Sequence, residues 1–146
     1  TFVPGNACVR AQVVTFLWRA AGCPKPTIRV NPFVDVKETD FYHSAVLWAL
    51  ENGITTGTDA THFSPMGVCN RAQVVTFLWR AFGQPAVEST EHPFNDVTAG
   101  SWFEAPVLWA VENGITAGLT ATTFGPAANC NRAQIVTFLY RAYAEA

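Results

Sequence analysis

The sequence predicts an all-α protein built from tandem helix-loop-helix repeats that pack as a pseudo-threefold bundle. The stretch VRAQVVTFLWRA at Val9 recurs as NRAQVVTFLWRA at Asn70 and as NRAQIVTFLYRA at Asn131, so equivalent positions lie 61 residues apart. Within each stretch apolar residues recur at steps of three and four, which is the period of a helix. The apolar surface is wider than one stripe, so these helices need cover on several sides and the repeats must pack on one another.

Each repeat has the same order of motifs. It opens with F-x-D-V, as at Phe33 and Phe94, and continues into a first helix, AVLWALEN from Ala45 or PVLWAVEN from Pro106. A loop with an F-x-P motif follows, and the R-A-Q stretch forms the second helix. The chain is therefore predicted to be one domain, 1–146, in which 1–22 is the second half of repeat 1, 33–83 is repeat 2 and 94–146 is repeat 3. The segments 23–32 and 84–93 have the proline and polar content of linkers.

Local signals predict where the helices begin and end. The second helices have an Asn cap and a Gln three residues later in repeats 2 and 3, which is a capping box, whereas Val9 cannot cap repeat 1. For the first helices we expect caps at Asp40 and Ser101, and left-handed terminators at Gly53 and Gly114. Pro106 predicts a local kink or a late start, because proline lacks an amide hydrogen and crowds the preceding turn.

Composition and charge exclude several classes of protein. Nine Lys and Arg against eleven Asp and Glu leave no basic surface for nucleic acid. No apolar run approaches the length of about 18 to 20 residues that a membrane span needs, and Thr1 does not open a signal peptide. No nucleophile motif is present and no carboxylate pair recurs with the repeat, so we predict a protein that is not an enzyme.

The four cysteines are not spaced as zinc or redox motifs are. A helix between Cys8 and Cys23 would hold them too far apart for a disulfide, and Cys23 has no equivalent in the other repeats. Cys8, Cys69 and Cys130 are equivalent positions. They either converge on the pseudo-threefold axis and hold a metal or serve as small buried apolar residues, and we predict the latter, with no metal and no cofactor.

The arginine at the second place of the R-A-Q stretch is not explained by helix formation. Arg10, Arg71 and Arg132 fall in the first turn, where the helix dipole is positive and a cation costs about 0.3 to 1 kcal/mol. A charge-assisted bond to an anion is worth about 1.5 to 3 kcal/mol and would offset this cost. The anion is either internal, such as Asp35 or Asp96, or an external acidic ligand, and both alternatives stand on sequence alone.

The ordered motifs FNDV, SWFEAPVLWAVENGITAG, FGP and NRAQIVTFLYRA resemble the S-layer homology domain family. The resemblance covers nearly the whole chain. It implies three tandem repeats in a three-pronged helical spindle that lies outside the cell and anchors proteins at the surface of Gram-positive bacteria. The implied ligand is a secondary cell-wall polysaccharide, often with a pyruvylated amino sugar, whose carboxylate would be the external anion.

Position by position, the family's ligand arginine falls on Arg10, Arg71 and Arg132, and its groove residues lie near Gly57, Gly118 and Trp102. The family's T-R-A-E motif reads V-R-A-Q or N-R-A-Q in this chain. Trp102 and its equivalent Phe41 either stack on a ligand or pack internally, whereas helical spacing predicts core packing for Trp18, Trp79, Tyr140, Trp48 and Trp109.

The first helix of repeat 1 is missing from this sequence. We therefore expect one of the three grooves to be incomplete, unless residues upstream or another chain supply that helix. The alternative function is a protein interaction or assembly module on the same scaffold, without glycan binding.

Overall fold

The computed structural model describes residues 7–144, and the regular structure of this part is helical. The five helices in chain order are α1 Arg10–Ala20, α2 His43–Glu51, α3 Arg71–Ala81, α4 Glu104–Glu112 and α5 Arg132–Ala144. Extended pairing in residues 7–144 is confined to isolated β-bridges near the starts of the second helices. The prediction of an all-α fold is confirmed. No helix in this range has the length and hydropathy to cross a bilayer.

The second helices, α1, α3 and α5, begin where the capping boxes predict. The Asn70 side chain accepts the Gln73 amide at 2.8 Å, and the Gln73 side chain accepts the Asn70 amide at 2.8 Å. The same reciprocal pair forms at the start of α5. In α1 Val9 offers no side-chain acceptor, but Gln12 still accepts the Val9 amide at 2.9 Å. The capping prediction is confirmed in all three repeats.

The first helices, α2 and α4, begin later than predicted. Asp40 and Ser101 lie in the preceding turn, so the prediction that they cap these helices is wrong. Two adjacent aromatic rings occupy this turn in each repeat and pack edge to face, with centroids 4.9 Å apart in repeat 2 and 5.1 Å apart in repeat 3. The late start places Pro106 in the first turn of α4, where its missing amide hydrogen costs no helical hydrogen bond.

Both first helices end at the predicted glycines. Gly53 has a φ of +71° and Gly114 a φ of +70°, the left-handed conformation that glycine adopts without strain. The amide of Ile54 then bonds back to the Ala49 carbonyl at 2.9 Å, which satisfies a carbonyl of the last turn. This reversal leads the chain into the loop that carries the F-x-P motif.

Three buried cysteines lie on the pseudo-threefold axis. The amide of Cys69 donates to the Cys8 carbonyl at 2.9 Å, that of Cys130 to Cys69 at 3.2 Å, and that of Cys8 to Cys130 at 2.9 Å. This closed ring of main-chain hydrogen bonds joins the three repeats directly. All three side chains have 0% exposure, and the cysteines are not joined in disulfides. Within residues 7–144 no group of side chains is suited to hold a metal.

Helix packing pairs neighbouring repeats. The pairs with extensive contact are α1–α2, α3–α4, α1–α3 and α1–α5. The second helix of one repeat therefore packs on the first helix of the next. Helix α5 has no such first helix among these pairs, and Tyr140 is 76% exposed, so the prediction that it packs in the core is wrong. The equivalent Trp18 and Trp79 are half-buried, and their indole N–H groups donate to the carbonyls of Pro24 and Pro85.

Candidate ligand-binding site

Two first-turn arginines reach from one repeat to the F-x-P loop of the next. Arg10 and Arg71 are buried, with 8% and 3% exposure. The Nε of Arg10 donates to the Phe63 carbonyl at 2.8 Å, and Nη2 lies 3.4 Å from the Thr55 hydroxyl. Arg71 makes the equivalent bonds one repeat later, to Phe124 and Thr116, and also donates to the Ala117 carbonyl. Each arginine thus ties two repeats together.

The aspartate of the F-x-D-V motif holds the same loop from its other side. The Asp35 carboxylate accepts the amides of Phe63 and Ser64, both at 2.9 Å. Asp96 accepts the equivalent amides in repeat 3, and these bonds lower its pKa although partial burial opposes the change. Within residues 7–144 neither Arg10 nor Arg71 has a carboxylate within 4.0 Å. The internal ion pair is therefore not formed, and main-chain carbonyls take its place.

The environment of Arg10 leaves part of its guanidinium without a partner in the described part of the chain. Arg10 lies between the rings of Phe63 and Phe77, at 4.7 and 5.4 Å from their centroids. Burial lowers the pKa of Arg10, and the nearby charge of Arg80 lowers it further. In the described part of the chain the Nη1 atom of Arg10 makes no hydrogen bond. It is also not one of the fully buried polar atoms that lack a partner, so it is accessible to solvent. This nitrogen is therefore a charged donor with no partner among the described residues.

An open cleft lies beside Arg10, and we call it cleft A. It has a volume of about 160 Å³. Its lining comes from all three repeats and consists of Arg10, Gln73, Thr76, Phe77, Arg80 and Trp102. The lining includes two arginines, no carboxylate and one tryptophan that is 60% exposed. Arg80 is positioned by a bond from Nη1 to the Ile54 carbonyl at 3.3 Å.

A second cleft, cleft B, lies one repeat further along. It has a volume of about 300 Å³ and is lined by Arg71, Asn131, Ala133, Gln134, Thr137, Phe138 and Arg141. Shifting Arg10, Gln73, Thr76, Phe77 and Arg80 of cleft A by 61 residues gives five of these residues, and Asn131 and Ala133 are additional. Cleft B has no counterpart of Trp102, because that position would lie in the turn before a first helix of repeat 1, a segment that this sequence does not include. Cleft B therefore has the paired arginines without the aromatic wall.

Arg132 occupies the third equivalent position. It is half-buried, and its guanidinium lies 5.7 Å from the centroid of the Phe16 ring. This matches the contact of Arg10 with Phe77 and that of Arg71 with Phe138. The equivalent of Trp102 for this arginine is Phe41, which is 65% exposed. The F-x-P motif of repeat 1 begins at Phe2, outside the described residues.

Gly57 and Gly118 lie in the loops that follow the first helices. A Cβ atom at Gly57 would lie 2.6 Å from both the His62 carbonyl oxygen and the Phe33 ring, and Gly118 is equally confined by Phe94 and Thr120. Neither glycine is among the lining residues of cleft A or cleft B. Their role in the structure is to let the loop fold tightly, and the Gly57 amide donates to the same Thr55 hydroxyl that Arg10 approaches.

Sequence reasoning missed the second arginine of each cleft. Arg80 and Arg141 lie in the last turn of a helix, where the dipole already favours a cation, so their presence seemed explained. A signal was nevertheless available, because both recur with the period of 61 residues. What the sequence could not reveal is that Arg80 faces an arginine of the preceding repeat, since that depends on how the repeats pack.

Other hollows of the surface suit an anion less well. One of about 270 Å³ lies between the second linker and α4, and its lining includes Glu88, Glu91 and Glu112. Another lies along the first linker and is mainly apolar, with Arg29 and Glu51 at its sides. The clefts beside Arg10 and Arg71 contain only positive charge.

Comparison with known proteins places this architecture in a family. The model of the S-layer homology domain matches residues 32–75 and 93–136, more than half of the chain. A protein named "Endoglucanase" from Bacillus sp. (strain KSM-635) is 37% identical over 112 residues, which cover 77% of this chain and 12% of that protein. The "Cell surface protein" of Thermoanaerobacter kivui is 30% identical over 116 residues, covering 77% of this chain and 15% of that protein.

A third relative is the "Surface-layer 125 kDa protein" of Lysinibacillus sphaericus, 30% identical over 89 residues, or 61% of this chain and 8% of that protein. The chain thus spans only 8 to 15% of the length of these relatives. Both repeats that are complete in this sequence match the family model, and the chain therefore belongs to the S-layer homology domain family.

Proposed function

We propose that this domain anchors a protein to the bacterial cell wall by binding an acidic secondary cell-wall polysaccharide in the clefts between repeats. Membership of the S-layer homology family and the two relatives named for the cell surface indicate that the chain works at the cell surface. The endoglucanase name is not carried over, because the match covers 12% of that protein. An anchoring module needs no catalytic residues.

The observation that carries the proposal is the composition of cleft A. Arg10 and Arg80 line one open space without a carboxylate, and Trp102 forms an exposed aromatic wall beside them. Two guanidinium groups suit a carboxylate, such as that of a pyruvyl ketal, because both present planar arrays of donors. The flat indole suits the apolar face of a sugar ring. The acid group and the sugar would therefore be held at once.

The clefts are not equivalent, and this sets the order of binding that we expect. Cleft A has the tryptophan wall, whereas cleft B offers Arg71 and Arg141 alone. Beside Arg132, Phe41 takes the position that Trp102 has in cleft A. Cleft A is thus the principal site, and Arg71 and Arg132 serve weaker ones. Gly57 and Gly118 contribute by shaping the loops that hold the arginines.

Isothermal titration calorimetry with purified, pyruvylated wall polysaccharide tests this function. Arg80→Gln should weaken binding by about 10-fold or more, since a charge-assisted bond is worth about 1.5 to 3 kcal/mol. Trp102→Ala should weaken it several-fold. Arg29→Gln is the matched control, because it removes the same charge from an exposed linker position.

The same titration with polysaccharide stripped of its pyruvyl groups separates the acid from the sugar. Loss of most of the affinity supports recognition of the carboxylate. Equal affinity before and after this treatment, or equal losses from Arg29→Gln and Arg80→Gln, would contradict the role of cleft A.

The second candidate function is a protein interaction module on the same scaffold. One observation favours it, namely that apolar residues of α5 are exposed, with Val136 at 45% and Tyr140 at 76%. Retention of a protein from cell-wall extracts, with no retention of the domain on purified polysaccharide, would support this alternative.

A further inference from the structure

The two linkers are held by equivalent contacts. In each, the indole N–H of the preceding helix donates to a linker carbonyl, and a glutamate at the end of the following first helix accepts a linker amide. These residues are Trp18 and Glu51 for the first linker and Trp79 and Glu112 for the second. The fold therefore treats both linkers alike, and their outward side chains are free to differ.

The outward side chains of the two linkers have opposite charge. Residues 22–32 contain Lys25 and Arg29 and no acidic residue. Residues 83–93 contain two glutamates and no Lys or Arg. All four charged side chains are exposed, so packing within the chain does not explain the reversal of charge between equivalent segments.

The first linker presents an apolar side chain next to a cation. We call Ile28, Arg29 and Val30 the linker-1 face. Val30 is 78% exposed, and its equivalent one repeat later is Glu91. Arg29 forms no ion pair within residues 7–144. Both an apolar contact and a negative partner are therefore open to this face.

The hollow between the second linker and α4 has the complementary composition, and we call it the linker-2 hollow. Its volume is about 270 Å³, and its lining includes three carboxylates and no Lys or Arg. These carboxylates, none of which forms an ion pair in the part of the chain that the structure describes, are Glu88, Glu91 and Glu112. The apolar lining consists of Pro93, Phe94, Leu108 and Val111.

We infer that the linker-1 face of one chain docks in the linker-2 hollow of a second copy of this chain. The Arg29 guanidinium would pair with the carboxylates of the hollow, and the Val30 side chain would cover its apolar lining. Complementary charges across a contact steer association and fix its register. Docking orders little additional backbone, because Pro26 and Pro32 already restrict the linker on both sides of the face.

The contact would be heterologous, because each chain carries the face on one linker and the hollow on the other. Such a contact can continue from copy to copy and form chains rather than stopping at a dimer. Neither surface lines cleft A or cleft B, so docking does not depend on the proposed glycan binding. Copies at the cell surface would thus associate with one another while their clefts stay open.

Sedimentation velocity of the chain without glycan, from about 20 μM to about 1 mM, tests the inference, since contacts of small area bind in this range. The weight-average mass should rise with concentration beyond that of a dimer, and about 0.5 M NaCl should reverse the rise, because salt screens exposed charges. Arg29→Glu should weaken association by about 10-fold or more, and so should Glu88→Gln combined with Glu91→Gln. Lys37→Glu makes the same change of charge at an exposed loop position and should have no effect.

A mixture of the Arg29→Glu variant and the double Gln variant gives the sharper result. The first retains the native linker-2 hollow and the second retains the native linker-1 face, so together they should form 1:1 complexes that grow no further. A wild-type chain that stays monomeric at about 1 mM, or that forms a dimer and nothing larger, would overturn the inference. Association that survives Arg29→Glu would also overturn it, since another segment would then occupy the hollow, and so would a mixture that stays monomeric.

Discussion

At the scale of single residues, Arg10 and Arg71 combine a structural role with the ligand-binding role that we propose. In Arg10, Nε donates to the Phe63 carbonyl and Nη2 lies near the Thr55 hydroxyl, and the residue also lines cleft A. The cost of placing a cation in the first turn is therefore offset partly within the protein. This explains why these arginines recur without a carboxylate partner. Under the proposed function, a truncation would disturb both stability and binding.

Arg10→Lys should separate the two roles. The ammonium keeps the charge but cannot reproduce the directed Nε bond to the Phe63 carbonyl, which is 2.8 Å long. We expect a loss of about 1.5 to 3 kcal/mol in the free energy of unfolding, the usual worth of a hydrogen bond from a charged group. Urea-induced unfolding followed by tryptophan fluorescence measures it.

Arg80→Lys is the matched comparison for that substitution. Arg80 is half-buried and its bond to the Ile54 carbonyl is longer, at 3.3 Å, so its replacement should cost less than about 1 kcal/mol. Equal stability of wild type and Arg10→Lys would show that the Nε bond does not hold the repeats together.

At the scale of elements, the loop after each first helix is tightly packed around Gly57 or Gly118. Gly57 combines a φ of +87° with neighbours that leave no space for a Cβ atom, whereas Gly100 has a φ of +82° and nothing within 4 Å. The two glycines thus share a left-handed backbone conformation and differ in packing. Alanine substitutions at the two positions therefore separate the cost of a left-handed backbone from the cost of overpacking.

Gly57→Ala should destabilise the domain by more than Gly100→Ala. Both substitutions incur the cost of a left-handed non-glycine residue, about 1 kcal/mol, and only the first adds the overpacking cost of about 1 to 3 kcal/mol. Thermal unfolding of the two variants and the wild type measures the difference. Equal melting temperatures for both variants would mean that the loop yields to the extra methyl group.

The helices were predictable from the sequence, and some of their starts were not. The period of three and four residues and the reciprocal Asn and Gln caps depend on neighbours along the chain, so α1, α3 and α5 begin where predicted. The starts of α2 and α4 depend instead on how an aromatic pair packs in the turn before them. Asp40 and Ser101 have the right side chains for caps, but this packing delays the first helical turn.

The candidate site was predictable only in part, because it too depends on packing between residues that are distant along the chain. Arg10, Arg71 and Arg132 are recognisable because a first-turn cation is unfavourable and therefore needs an explanation. Arg80 lies in the last turn of α3, where the helix dipole favours a cation, so no local sequence signal identifies it as a site residue. Cleft A takes residues from three repeats, and only the packing of the whole molecule shows that Arg10, Arg80 and Trp102 meet.

At the scale of the whole molecule, the cysteine ring holds the three repeats at their centre. The ring uses main-chain groups, so the side chains are selected for size and for tolerance of burial rather than for metal binding. Burial raises the pKa of the Cys69 and Cys130 thiols to about 12, although Arg10 and Arg71 oppose the change. The protonated form of these thiols therefore favours the folded state.

Stability should fall as the pH rises above about 9. The unfolded chain releases the thiol protons near the usual pKa of 9.0, whereas the folded chain keeps them until about 12. Within this window the unfolded state binds fewer protons, so the free energy of unfolding decreases by at most about 1.4 kcal/mol per pH unit for each thiol. Below pH 9 the contribution is fully present.

Urea-induced unfolding at pH 7.5, 9.0 and 10.5 measures this dependence, with Cys69→Ala and Cys130→Ala combined as the comparison. Tyr42 and Tyr143 also have raised pKa values because of burial, and they contribute to the slope in both proteins. The variant should therefore start from a lower stability at pH 7.5 but lose less of it by pH 10.5. Parallel curves for the two proteins would mean that the thiols ionise without unfolding the axis, and that water reaches the centre of the three repeats.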